Sequence, residues 1–260
     1  MSGTTLRPHV HLVGGGAFGI SSGYDCHVYL ISAGDELALV DAGVGLESDR
    51  ILDNVRSLGF DPSRIGRILL THAHSDHAGG TADLARATGA TVIAVEAEAH
   101  LLREGDDHEL GLDAARQDGT YPPDYRYTHW TEVTTVEGGR ELTIGGLPLR
   151  VIEVPGHSVS TTCYLLEADG YRALFGGDVV FAGGFVSLIN VPGSDPAAYR
   201  RDLPKLAGLG VDGLFPGHQL FVLEGAQRHI DLAIRRMELS VVPNLNLSWL
   251  PPPPAAVKGA

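Results

Sequence analysis

The chain has 260 residues, 43% of them apolar and 20% charged, with 19 basic against 32 acidic side chains and a formal net charge of −13. A chain of that length buries a sizeable core, and the composition excludes a disordered, collagen-like or repeat protein. Its acidic field repels phosphate backbones and anionic lipids, and no run of about 18 apolar residues occurs, so nucleic-acid and membrane partners are not expected.

From the amino terminus, residues 1–8 lack a basic region followed by an apolar segment, which predicts a cytoplasmic protein. Strands are predicted at 9–13, 26–31 and 36–40, an antiparallel start to a sheet, the last running into Asp41. Cys26 and Cys163 sit in apolar, strand-like stretches far from any CxxC spacing, and are expected to be buried reduced thiols. Gly14, Gly16 and Gly19 fit a GxGxxG loop, but residues 20–25 lead into another strand. A pyrophosphate would find no helix terminus there, so a dinucleotide site is not expected.

Ser48 is expected to cap a helix reaching Leu58, with Ile51, Leu52 and Val55 on one face and Gly59 as the stop. A short strand at 68–70 leads straight into the run His72-Ala-His-Ser-Asp-His77, followed by a helix over 78–88, a strand over 91–95 and a helical turn or two over 97–103. Residues 104–130 break this rhythm with Gly105, Gly111, Gly119, Pro122 and Pro123 among Tyr121, Tyr125, Tyr127 and Trp130. An insertion or lid bordering the substrate entrance is expected there, with Tyr125, Tyr127, His129 and Trp130 as substrate contacts. Strands return at 132–136, 141–144, 149–154, 161–166, 172–175 and 213–215, with helices from Asp195-Pro196 to about Leu206 and over 225–239.

Two sheet-rich halves, each with helices attached, predict an α/β fold: a four-layer αββα sandwich of two mixed sheets, as a single domain over 1–250. Residues 251–260 form a proline-rich tail. The glycosylation pattern beginning at Asn246 has no use in a cytoplasmic chain.

Twelve histidines mean little by number; their positions mean more. His72 and His74 share a face if the chain is extended there, and Asp76 and His77 follow as it turns into a helix. Three imidazoles and a carboxylate within six residues suit a divalent ion such as zinc, iron or manganese. Pro155-Gly-His157, Gly176-Gly-Asp178 and Pro216-Gly-His218 share one form, a strand ending in glycine beside a polar side chain. Each can deliver a ligand into a common cleft. The other histidines, among them His9, His11, His27, His100, His108 and His229, are expected to be structural or solvated.

This ordered set resembles the metallo-β-lactamase superfamily over roughly residues 26–218. The resemblance implies that His72, His74 and His157 hold one ion, that Asp76, His77 and His218 hold a second, and that Asp178 bridges them. It also implies that Asp41 supports the site from behind. Two divalent ions are expected, zinc first, with iron or manganese as alternatives. They serve a hydrolase in which a metal-bridging hydroxide attacks a carboxylic ester, lactone, thioester or amide of a small organic substrate, with Asp76 handling the proton.

An aspartate at 178 points toward glyoxalase II-like thioesterases and lactonases, because the true β-lactamases place cysteine or serine in that region. Arg228, Arg235, Arg236 and Lys205 are available to hold glutathione carboxylates, although a surface helix accounts for the first three. The alternatives are a mononuclear iron oxygenase resembling persulfide dioxygenases, a β-lactamase, and a non-enzymatic metal-binding protein. The oligomeric state is left open, a homodimer included.

Overall fold

Most central strands are apolar on both faces, and the layering follows from that. The computed structural model describes residues 2–239. One sheet runs β1 (Thr4–Arg7), β2 (Val10–Gly14), β3 (Val28–Ala33), β4 (Glu36–Val40), β5 (Ile65–Leu69), β6 (Thr91–Ala94) and β7 (Val133–Thr135), in that order. The second holds β8 (Glu141–Ile144), β9 (Leu147–Glu153), β10 (Thr162–Ala168), β11 (Tyr171–Gly177) and β12 (Gly213–Pro216), again side by side in chain order. Both are mixed: antiparallel through β4 and through β11, then parallel from β4 to β7 and from β11 to β12.

Period-two alternation divides each strand between two cores. Tyr29, Ile31, Ala38 and Val40 meet Tyr164, Leu166, Ala173 and Phe175 between the sheets. Their neighbours Val28, Leu30, Leu37 and Leu39 face outward onto Ile51, Leu52 and Val55 of α1 (Ser48–Ser57). On the far side Cys163, Leu165 and Leu174 pack under Ile230, Ala233, Ile234 and Met237 of α7 (Gln227–Glu238). Helix, sheet, sheet and helix thus stack as the four expected layers, with each fully buried aliphatic contributing roughly 1.5–3 kcal/mol. The remaining helices are α2 (Ser75–Ala78), α3 (Thr81–Thr88), α4 (Glu96–Glu104), α5 (Leu112–Gln117) and α6 (Pro196–Asp202).

Several local expectations need correction. The helix expected over 78–88 is broken into α2 and α3 at Gly79 and Gly80, where the loop after β4 presses in: a Cβ on Gly80 would lie 2.2 Å from the Ala42 carbonyl oxygen. Ser48 is not a cap but the first residue of α1; Glu47 takes the cap position without a side-chain bond, and the Ser48 hydroxyl is buried without a partner. The strand expected at 26–31 starts only at Val28, because the Cys26 and His27 amides leave the ladder to donate to Asp76 O and Gly217 O.

Both cysteines are buried and free, as expected. Gly16–Phe18 forms a single 3₁₀ turn, not the helix a dinucleotide loop needs. Among the described residues no helix is long and apolar enough to cross a membrane. The proline-rich end at 251–260 and Asn246 lie outside the described residues.

Candidate metal centre

The carboxyl ends of parallel strands from both sheets meet along one edge, where open α/β sheets place ligands. Asp41 follows β4, Thr71 and His72 follow β5, Asp178 follows β11, and His218 follows β12. His157 comes from the loop between β9 and β10. His74 occupies the position before α2, so Asp76 and His77 lie in its single turn, and the His77 ring comes within 4.0 Å of the His72 ring.

Three imidazoles converge at one point: His157 Nε2 lies 3.2 Å from His72 Nε2 and 3.0 Å from His74 Nδ1. At a second point, Asp76 Oδ2 lies 2.9 Å from His218 Nε2 and 3.6 Å from His77 Nε2. Asp178 stands between the two groups. Its Oδ2 is 3.6 Å from both His157 Nε2 and His218 Nε2, and its Oδ1 is 3.5 Å from His77 Nε2. The structure therefore brings together all seven side chains expected as ligands, and each set of three can place its donor atoms around one ion.

The rings are oriented from behind. His77 Nδ1 donates to Asp41 Oδ2 at 2.8 Å, and His157 Nδ1 donates to the Ser187 carbonyl at 3.1 Å. Thr71 Oγ1, 3.0 Å from His72 Nδ1, donates onward to Asp41. Each of these bonds fixes the proton on Nδ1 and leaves Nε2 as the free lone pair, as outer partners of metal-binding histidines do. Asp41 itself sits at φ 63, a conformation held by bonds from the Thr71 amide, the Thr71 hydroxyl and His77.

The donor set fits a cation. His77 Nε2 and Asp178 Oδ1 are buried with no hydrogen-bond partner, and each such orphan costs about 1–3 kcal/mol unless something binds it. Burial, with neighbouring imidazoles, pushes His72 and His157 well down, and burial takes His74 down to about 4. These three are neutral and ready to ligate.

Around the second point the carboxylates dominate. Burial opposes a charge on His77, but Cys26, Asp76, Asp41 and Asp178 outweigh it and push this imidazole well up. Against burial, Asp178 and Asp76 likewise raise His218, while His77 and His218 hold Asp76 well below the usual carboxylate range. Burial pushes Asp178 up, with His218 and His77 opposing. The cluster demands positive charge, which protons on His77 and His218 or a divalent ion can supply.

Of the aromatic residues expected at the substrate entrance, none touches the cluster through a hydrogen bond. Tyr125 donates to Val44 O, His129 Nδ1 faces Leu102 O, Trp130 donates to Glu132 O, and the Tyr127 hydroxyl is buried without a partner. The residue of this segment that does reach the cluster is Tyr121, whose hydroxyl donates to Asp76 Oδ1 at 3.0 Å.

A second missed residue is Glu98. In sequence it is an ordinary acid in the first turn of a helix; in the structure it is 1% exposed. Its carboxylate accepts from the amides of Ala73 and Ser160 and from the Ser158 hydroxyl, tying the His72–His74 loop to the His157 loop. Glu98→Gln leaves one acceptor oxygen where two are used. Chemical denaturation is expected to show a loss of about 1–3 kcal/mol; parental stability would mean that the brace is dispensable.

Residues 22–218 match the profile of the Metallo-beta-lactamase superfamily. The chain belongs to this superfamily. Over 244 residues it is 33% identical to a hydroxyacylglutathione hydrolase of Anaeromyxobacter dehalogenans, covering 91% of this chain and 79% of that one. It is 31% identical over 229 residues to an acyl-coenzyme A thioesterase of Gallus gallus, covering 82% and 78%. Among solved structures, a subclass B3 metallo-β-lactamase of Bradyrhizobium japonicum superposes with a TM-score of 0.70 over 92% of each chain at 23% identity. At that identity the likeness concerns the superfamily fold alone.

Proposed function

We propose that this metal-dependent hydrolase cleaves acyl thioesters with two divalent ions, zinc in the first instance with iron or manganese as alternatives. His72, His74 and His157 hold one ion, Asp76, His77 and His218 hold the other, Asp178 joins them, and Asp41 orients His77. The observation that carries this reading is the position of Asp178, with one oxygen equidistant from a histidine of each set and the other facing His77. When bound, such a pair supplies a Lewis acid and a water acidic enough to attack at neutral pH.

This chain's residues do the rest. Asp76, part-exposed at the second point, can accept the proton of the attacking water and release it to the departing group. A thiol leaving group, with an unperturbed pKa near 8.5, departs with little help from a general acid. The open side is marked by His218 and Asp76, whose side chains are 32% and 18% exposed, so the acyl group enters there, beside residues 104–130.

Both similar curated proteins are, by name, hydrolases of acyl groups carried on a thiol, which supports thioesters over lactones and amides. The test is thiol release from a panel of acyl-coenzyme A and hydroxyacylglutathione thioesters, alongside lactones and a β-lactam, with oxygen uptake recorded. Chelator-sensitive thiol release without oxygen uptake is expected. Turnover confined to lactones or lactams, or oxygen consumption, would overturn the thioester assignment.

A further inference from the structure

Asp76 is the one carboxylate of the second ligand set, and only one of its two oxygens faces that set. Oδ2 points at His218 and His77, while Oδ1 accepts the hydroxyl of Tyr121 at 3.0 Å. We infer that Tyr121 is a positioning residue for the second ion, holding Asp76 by Oδ1 so that Oδ2 alone is offered to it. The inference rests on the two-ion reading above and adds a residue from outside the ligand loops.

Tyr121 is itself held from several sides, so the bond is not a chance contact of a mobile side chain. It is 8% exposed, and its ring lies 5.2 Å from that of Tyr125 and 6.2 Å from that of Tyr24. Its amide donates to Ala115 O at the end of α5, and Arg116 of the same helix donates to Tyr125 O. Tyr125 in turn anchors the segment to the loop after β4 through Val44 O.

A carboxylate without such a donor can swing, or present both oxygens to a cation. One fixed by a hydrogen bond presents a single oxygen in a set direction, and loss of an outer partner of this kind costs about 10–100-fold in metal affinity. Residues 104–130 thereby become mechanically linked to the second ion. Coupling of that sort is reciprocal: filling the site must also steady the segment.

The experiment titrates metal-free protein with zinc and follows two binding steps. Tyr121→Phe keeps the ring and removes only the hydroxyl. It is expected to weaken the second step by about 10–100-fold and leave the first unchanged, whereas Tyr125→Phe, which loses an anchor of the same segment, leaves both zinc steps unchanged. Equal binding by Tyr121→Phe and parent would overturn the inference, as would an equal loss in Tyr125→Phe, which would assign the effect to docking of the segment alone.

The unsubstituted protein supplies an independent readout. Amide exchange across 112–125 should slow between one and two zinc equivalents, and unchanged exchange would contradict the linkage. A parent that takes up only one ion contradicts the two-ion reading, and the inference with it, before any variant is compared.

Discussion

Asp178→Asn is expected to lose one of two bound ions and at least about 100-fold in turnover while the protein stays folded. Even outer partners of metal ligands cost about 10–100-fold, and this residue touches both sets. Asparagine keeps the size and one oxygen but removes the charge that offsets repulsion between two cations. It also places an amide that can only donate beside one of the imidazole nitrogens. The fold should survive because the main chain at 178 is secured without the carboxylate: Tyr199 donates to Asp178 O, and the Val179 amide donates to Gly176 O. Metal per chain, turnover at several metal concentrations and circular dichroism check this together. Two tightly held ions with near-parental turnover would remove Asp178 from the bridging role.

Gly217→Ala should be nearly as damaging, although it changes no ligand. A Cβ there would lie 2.4 Å from His77 Cε1 and 2.6 Å from Asp178 Oδ1. Neither neighbour can yield easily, since His77 is fixed by Asp41 and both side chains are buried. The loop is equally constrained: the Gly217 amide donates to Gly177 O and its carbonyl accepts from the His27 amide. Ligands must therefore move by a substantial fraction of an ångström, and a displacement of about 1 Å can cost about 100-fold in rate. Gly23→Ala is the matched control, because a Cβ at Gly23 meets nothing within 4 Å. If Gly217→Ala turns over like Gly23→Ala, close packing at this glycine does not set the ligand geometry.

Much of the fold was legible because its signals are local. Strands such as Glu36–Val40 and Glu141–Ile144 are short apolar or alternating runs between turn residues, and their bounds agree with expectation. β1 (Thr4–Arg7) escaped notice: it is a polar, partly exposed edge strand that takes its shape from pairing with β2. The six-residue α5 is too short to show a period against its glycine-rich surroundings.

The clustering of His157, Asp178 and His218 with the His72–His77 run could be read from sequence because strand ends followed by glycine repeat at 155–157, 176–178 and 216–218. Glu98 and Tyr121 could not, since their roles lie in bonds to residues 25 to 62 positions away that leave no mark on local pattern. The aromatic residues Tyr125, Tyr127 and Trp130 drew attention by type, yet their bonds run to backbone or to none.

The most direct measurement titrates metal-free protein with zinc while counting bound ions and following thioester hydrolysis in the same samples. Two ions per chain are expected, with activity rising chiefly on filling of the second site and reaching its plateau at two equivalents. Full activity at one equivalent, or thioester hydrolysis that persists after complete metal removal, would contradict this.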